Sequence, residues 1–142
     1  MDTVADFVLD NSVTMAWGFD DESDPYADAI LAPMHGLKAI VPAIWPFEVA
    51  HVLVVGERRK RITVGETQAF LSLLAKFSIQ VEDDPMGQAW GHAMQLSRVH
   101  GLSIYDAAYV DLAIRRSLPL ATLDAKLRAA AEALGVPLFA IP

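Results

Sequence analysis

Four acidic residues stand where short apolar segments end or predicted helices begin. Asp10 follows the apolar run Phe7–Leu9, and Asp124 follows a second apolar run later in the chain. A short apolar run bounded by polar residues predicts a buried strand, so both carboxylates lie where ionisation is costly unless the charge is compensated. Glu48 and Asp106 each lie in the first turn of a predicted helix. Four acids placed in this way favour a single site for a cation.

The chemistry of that site follows from what the chain contains and lacks. Carboxylates drawn together repel one another and resist ionisation, and a divalent cation reverses that cost. The chain has no cysteine, which excludes thiolate ligands, and oxygen ligands suit Mg²⁺ or Mn²⁺. Asp106 also shares the apolar face of its helix with Val110 and Ala113. A residue that only caps a helix needs no such buried flank.

Each acid taken alone has a structural explanation that stays open. Asp10 could cap the turn that follows it, and Asp124 is a plausible N-cap for the helix after it. Glu48 occupies about the third position of its helix, where a carboxylate is favourable. Ser103-x-x-Asp106 resembles a capping box with the shorter acid. Only the combination of the four acids favours a shared site.

Composition limits the possible classes of protein. A chain of 142 residues, 54% of them hydrophobic, favours one domain over residues 1–142 with an ample core. The lack of cysteine fits a reducing cytoplasm, and no basic segment precedes the first apolar run, so we expect no signal peptide. The longest apolar stretch is interrupted by Pro42, Pro46 and Glu48, so we expect no membrane span. A net charge of −7 argues against a broad, non-specific nucleic-acid surface.

One segment departs from this acidic balance. Arg58–Arg61 holds four of the eleven lysine and arginine residues of the chain. A cluster of this kind is either the solvated end of a helix or a contact for phosphate groups. The sequence leaves both alternatives open.

Strands alternate with helices along the chain. The pattern predicts one helix from Asp84 and Pro85 to about Val99, and it predicts that Ser12 caps a short first helix. Alternation of strands and helices predicts a three-layer α/β fold, with a mainly parallel sheet and helices on both faces. Ligands of such sheets bind beyond the carboxyl ends of the strands, where Asp10 and Asp124 lie. The predicted strands cover about Phe7–Asp10, Ala39–Val41, Ser78–Glu82, Pro119–Thr122 and Val136–Ala140.

Two further pairs of residues have simple interpretations. Asp111 is expected to pair with Arg115, four residues on in the same helix. Tyr105 and Tyr109 are expected to be packing residues, although Tyr105 lies beside the predicted site and could stack on a nucleobase.

Four segments of the chain resemble the acidic motifs of PIN-domain nucleases. The nearest likeness is to the VapC toxins of bacterial toxin–antitoxin pairs, and it extends from about Phe7 to Leu138. The order and spacing of the motifs are more specific than any motif alone. The segments are Val8–Ser12, Trp45–Val49, Tyr105–Tyr109 and Leu120–Asp124.

This resemblance implies a five-stranded parallel sheet, a Mg²⁺- or Mn²⁺-dependent endoribonuclease, a homodimer, and an antitoxin that blocks the site. Two departures from the family pattern are visible: His51 stands where asparagine is common, and Asp111 stands where a small residue is usual. Residues matching the motifs take the family's roles as follows: Asp10 and Asp106 as core metal ligands, Glu48 and Asp124 completing the pocket, and Ser12 and Thr122 as polar support.

The expected reaction is hydrolysis of RNA phosphodiester bonds, in which water attacks in line and the 3′-oxygen leaves. Two other classes remain as alternatives. One is a non-catalytic binding module on the same fold. The other is a phosphotransfer enzyme of the haloacid-dehalogenase type, because Asp10–Thr14 loosely resembles the nucleophile loop of that family. That loop requires a second acid where Ser12 stands.

Overall fold

The computed structural model describes residues 6–83 and 85–141. Its sheet has four strands in the order β3-β2-β1-β4, and every pairing between neighbours is parallel. This arrangement confirms the predicted α/β fold with a parallel sheet flanked by helices. The strands are β1 (Asp6–Leu9), β2 (Lys38–Val41), β3 (Ser78–Val81) and β4 (Leu120–Ala121).

The prediction of a fifth strand over Val136–Ala140 was wrong for the part of the chain described. In the described part of the chain, this segment pairs with the sheet through one parallel bridge, between Leu120 and Leu138. Pro137 lacks the amide hydrogen that a longer ladder would need, which limits the pairing. The Phe139 ring instead stacks on Phe7, with ring centroids 4.1 Å apart. The segment is therefore held mainly by packing.

Helices cover both faces of the sheet. Phe7, Val8 and Leu9 are consecutive in β1 and all fully buried. Because successive side chains of a strand point to opposite faces, their joint burial requires cover on both sides. The helices are α1 (Asn11–Gly18), α2 (Pro25–Leu31), α3 (Trp45–Arg58), α4 (Val64–Ala75), α5 (Pro85–Gln88), α6 (Met94–His100), α7 (Ile104–Arg116) and α8 (Ala125–Ala133).

The long helix predicted from Asp84 to about Val99 is divided. A π-helical segment, Ala89–Ala93, separates α5 from α6, and Gly91 within it has non-helical dihedral angles (φ −96°, ψ −120°). A glycine tolerates such a kink at little steric cost, and the apolar spacing of the sequence did not reveal it. Asp84, the expected start of the helix, lies outside the described residues.

Side-chain caps fix where the helices near the predicted site begin. Asp10 caps α1, so the expectation that Ser12 caps it was wrong. Asp124 caps α8 by accepting a hydrogen bond from the Leu127 amide at 2.9 Å, and Ser103 caps α7 through the Asp106 amide at 3.0 Å. No helix in the described ranges has the length and apolar character to cross a membrane.

Candidate active site

The carboxylate of Asp10 lies at the end of β1 and is only 5% exposed. Its Oδ2 atom accepts hydrogen bonds from the Ser12 hydroxyl at 2.6 Å and from the Thr122 hydroxyl at 2.8 Å. Thr122 reaches it because it directly follows β4, which pairs with β1 through Leu9 and Ala121. Burial raises the pKa of Asp10, and the hydroxyl bonds oppose that rise. The sheet thus presents a buried acid held by two hydroxyl groups.

The Ser12 hydroxyl also connects the start of α1 to the segment that follows β4. It accepts a hydrogen bond from the Leu123 amide at 2.9 Å, and its oxygen lies 3.3 Å from the Thr122 hydroxyl oxygen. The structure therefore brings both predicted supporting residues into contact with Asp10. No second acid occupies the position of Ser12.

Glu48 is half-buried in the first turn of α3. Its Oε1 atom accepts a hydrogen bond of 2.5 Å from the hydroxyl of Tyr109, which is fully buried on α7. Burial raises the pKa of Glu48, the bond from Tyr109 lowers it, and the charges of Asp10 and Asp106 raise it further. The pKa of Tyr109 is raised by burial and by the neighbouring Glu48 carboxylate.

Tyr109 is a site residue that sequence reasoning missed, because it was interpreted as a packing residue. A signal was nevertheless present in the spacing. Tyr109 follows Asp106 by three residues, and residues three apart share one face of a helix. A tyrosine on the same face as a predicted site acid has a polar group that can reach the site.

Asp106 lies in the first turn of α7 and is partly exposed. Burial raises its pKa first, and the charges of Asp10 and Asp124 raise it further. Asp124 itself is exposed at the start of α8. The structure thus brings the four predicted acids near enough for their charges to interact. Asp106 interacts with Asp10, Asp124 and Glu48.

The same carboxylates do not enclose a cation as they stand. Within residues 6–83 and 85–141, no three acidic or imidazole side chains are grouped as a ready-made metal site. Glu48 is turned to Tyr109, and Asp124 to the Leu127 amide. The donor set still fits Mg²⁺ or Mn²⁺ in type, since it consists of carboxylate oxygens, and the pKa values of Asp10, Glu48 and Asp106 are raised.

The basic segment Arg58–Arg61 contains residues of two kinds. Arg61 forms ion pairs with Asp21 at 2.9 Å and with Glu22 at 2.7 Å, and its guanidinium lies 4.4 Å from the centre of the Phe19 ring. Arg61 therefore links α3 to the turn after α1. Residues 58–60 are exposed, and a phosphate contact through them stays a prediction.

His51 and Asp111, the two departures from the family pattern, take no part in the hydrogen bonds described for Asp10 and Glu48. Asp111 is buried on α7 and accepts a hydrogen bond from Arg115 at 2.9 Å, which confirms their predicted pairing. His92 Nδ1 lies 3.7 Å from the other oxygen of Asp111. His51 is exposed on α3.

Comparison with known proteins agrees with this geometry. The sequence model of the PIN domain matches residues 7–133, and the chain belongs to the PIN domain family. The comparison with curated proteins gives no match.

Solved structures share the fold at low sequence identity. PAE2754 from Pyrobaculum aerophilum is 21% identical with a TM-score of 0.67, over 90% of this chain and 87% of that one. FitAcB from Neisseria gonorrhoeae is 19% identical with a TM-score of 0.58, over 94% and 96%. The structure of FitAB bound to the IR36 DNA fragment is 22% identical with a TM-score of 0.50, over 94% and 93%. At these identities the likeness supports the fold alone.

Proposed function

We propose that this protein is a Mg²⁺- or Mn²⁺-dependent endoribonuclease that acts as the toxin of a toxin–antitoxin pair. The observation that carries the proposal is the gathering of Asp10, Glu48 and Asp106 in a PIN-family chain. Burial raises the pKa of each acid, and neighbouring carboxylates raise the pKa values of Glu48 and Asp106 further. Acids that repel one another lower the stability of the folded state unless a cation relieves the repulsion. The cognate antitoxin, the homodimer and the RNA substrate belong to the same proposal, through the resemblance to VapC toxins.

The four acids would hold the cation, with Asp10 and Asp106 as its core ligands. When bound, a divalent cation lowers the pKa of water and offsets negative charge that develops at phosphorus. The protein's own contribution is to fix the ligand oxygens. Ser12 and Thr122 hold the Asp10 carboxylate through Oδ2, and the hydroxyl of Tyr109 holds Glu48. Hydroxyl donors also favour the ionised form of these acids, which is the form that binds a cation.

A cleavage assay with single-stranded RNA tests the proposal. Wild-type protein is expected to cleave RNA with Mg²⁺ or Mn²⁺ and to lose activity in EDTA. Asp10→Asn and Asp106→Asn should each abolish cleavage, whereas Asp28→Asn, an exposed aspartate on α2, should retain it. The metal-free melting temperature of both site variants should stay level or rise, because each removes a charge from a repelling cluster. A large loss of stability in both variants would mean that the fold requires these two carboxylates, so their role would be structural.

A non-catalytic binding module is the second candidate, and the lack of a ready-made metal site among the described residues favours it. A thermal melt over a Mn²⁺ series separates the two. A cation that binds only the folded chain should stabilise it by about 2.7 kcal/mol at 100 times its Kd. A melting temperature that stays constant across the series would support the binding module. Phosphotransfer of the haloacid-dehalogenase type has no support, because Ser12 occupies the position of the required second acid.

A further inference from the structure

An apolar cavity of about 390 Å³ lies beside Pro42, which directly follows β2 at the same edge of the sheet as Asp10. Two exposed aromatic residues line it, Phe47 on α3 and Tyr105 on α7. Each directly precedes a site acid, Glu48 or Asp106, so each aromatic Cα lies about 3.8 Å from the Cα of its acid. The other lining residues include Pro42, Ile44, Ile104 and Ala108.

The lining of this cavity suits a flat, uncharged group. Phe47 is 74% exposed and Tyr105 is 54% exposed, which is unusual for two aromatic side chains beside one cavity. Its lining residues carry no charge, and the side-chain amide of Gln88 is already engaged with the Asp83 carbonyl oxygen at 2.8 Å. The lining therefore offers mainly stacking and apolar contact. Its volume lies within the range of small-ligand sites, about 300–1,000 Å³.

We propose that this cavity is a subsite for a nucleobase of single-stranded RNA, next to the phosphate at the acids. The inference rests on the proposed function. In a nucleotide the ribose links the base to the phosphate, so a base subsite must lie within one nucleotide of the site that holds the phosphate. Phe47 and Tyr105 meet this requirement, because each is the chain neighbour of a site acid. Single-stranded RNA is commonly bound by stacking its unpaired bases on aromatic side chains. Every base has a stacking face, so the subsite favours unpaired RNA over a duplex without selecting one base.

The experiment measures the binding of an unpaired RNA containing 2-aminopurine to the Asp10→Asn protein in Mn²⁺. Adding Phe47→Ala or Tyr105→Ala should weaken binding by roughly 5- to 150-fold, which corresponds to the stacking loss of ~1–3 kcal/mol per base. Tyr105→Phe retains the ring and should bind within about twofold of the parent. Val64→Ala, which removes an exposed apolar side chain on α4, is the matched control and should bind as the parent does.

A second readout separates stacking from charge. The slope of affinity against salt concentration should be unchanged in the alanine variants, because no phosphate contact has been removed. Fluorescence of 2-aminopurine should be quenched by the parent and less quenched by the alanine variants. Since Phe47 is mostly exposed, Phe47→Ala should keep its fold and can carry the test alone.

The possible outcomes distinguish failure of the proposed base subsite from failure of the proposed nuclease activity. If wild-type protein cleaves no RNA with either metal, the proposed function fails and the subsite fails with it. If wild-type protein cleaves RNA but Phe47→Ala and Tyr105→Ala bind and cleave as wild type does, the subsite is overturned and the nuclease stands. If these variants keep RNA affinity but lose self-association in sedimentation, the cavity serves a second copy of the chain and the subsite is likewise overturned.

Discussion

Replacing Tyr109 with phenylalanine should lower the free energy of unfolding by about 1–2 kcal/mol. The change removes one hydroxyl and leaves the buried ring in place, so the only direct loss is the 2.5 Å hydrogen bond to Glu48. Hydrogen bonds to charged groups contribute ~1.5–3 kcal/mol when well buried. Glu48 is half-buried, and water can replace part of the lost bond, so the expected loss lies around the lower end of that range.

Urea unfolding of a double-mutant cycle measures this interaction at neutral pH. The cycle combines Tyr109→Phe with Glu48→Gln and yields the coupling free energy between the two side chains. Tyr26→Phe is the matched control, because its hydroxyl donates to the neutral Phe139 carbonyl oxygen at 2.6 Å. That variant should lose about 0.5–1.5 kcal/mol, as for a bond between neutral groups.

Two results would refute the reasoning about Tyr109. A coupling energy below about 0.5 kcal/mol would mean that the side chains act independently. The second result concerns the pH dependence of Mn²⁺ binding. The hydroxyl of Tyr109 lowers the pKa of Glu48, so removing this hydroxyl must raise the pKa of Glu48. The protonated form then persists to higher pH, and Mn²⁺ binding by Tyr109→Phe should require higher pH than binding by wild type. An unchanged pH dependence would exclude Tyr109 as a residue that positions Glu48.

Three other predictions follow from the same structure. Asp10, Glu48 and Asp106 have raised pKa values in the folded chain. The stability that they contribute is fully present below their unfolded pKa, near 4, and is lost as pH rises through their folded pKa values. The metal-free melting temperature should therefore fall as pH rises from about 4, and added Mn²⁺ should reverse the fall at neutral pH. Arg61→Ala should lower the melting temperature by removing the ion pairs with Asp21 and Glu22 and the contact with Phe19, and the difference should shrink in high salt. Gly56→Ala should destabilise the fold by about 1–2 kcal/mol in urea unfolding, because the new Cβ would lie 2.8 Å from the Phe19 ring, outweighing the helix propensity of alanine.

The placement of the acids was predictable because it depends on local pattern. The apolar runs that end before Asp10 and Asp124 indicate two strands of one parallel sheet, and parallel strands bring their carboxyl ends to one edge. The structure adds that these two strands are neighbours. The contact of Tyr109 with Glu48 was not predictable in the same way. It joins residues 61 positions apart, and only the packing of α3 against α7 determines it.

Other features that the sequence did not reveal depend on tertiary contacts or on short segments. Arg58–Arg61 forms one cluster in the sequence, yet Arg61 is paired with two acids 39 and 40 positions earlier. The kink at Gly91 and the single bridge at Leu138 involve short segments, where apolar spacing cannot separate a broken helix or a bridge from regular structure. Local periodicity indicated the order of most elements, whereas packing between distant parts of the chain determined which side chains pair.

The hydrogen bond between Thr122 and Asp10 has a consequence for the order in which the molecule matures. It connects positions 112 residues apart, and Thr122 lies just after β4, which is synthesised after the other three strands of the sheet. Synthesis proceeds from the amino terminus, so the first three strands can dock while β4 is still unmade. During that interval Asp10 has Ser12 as a partner but not Thr122, and Asp124 does not yet exist. The topology therefore sets an order of events: the four acids can come together only after Asp124 has been synthesised.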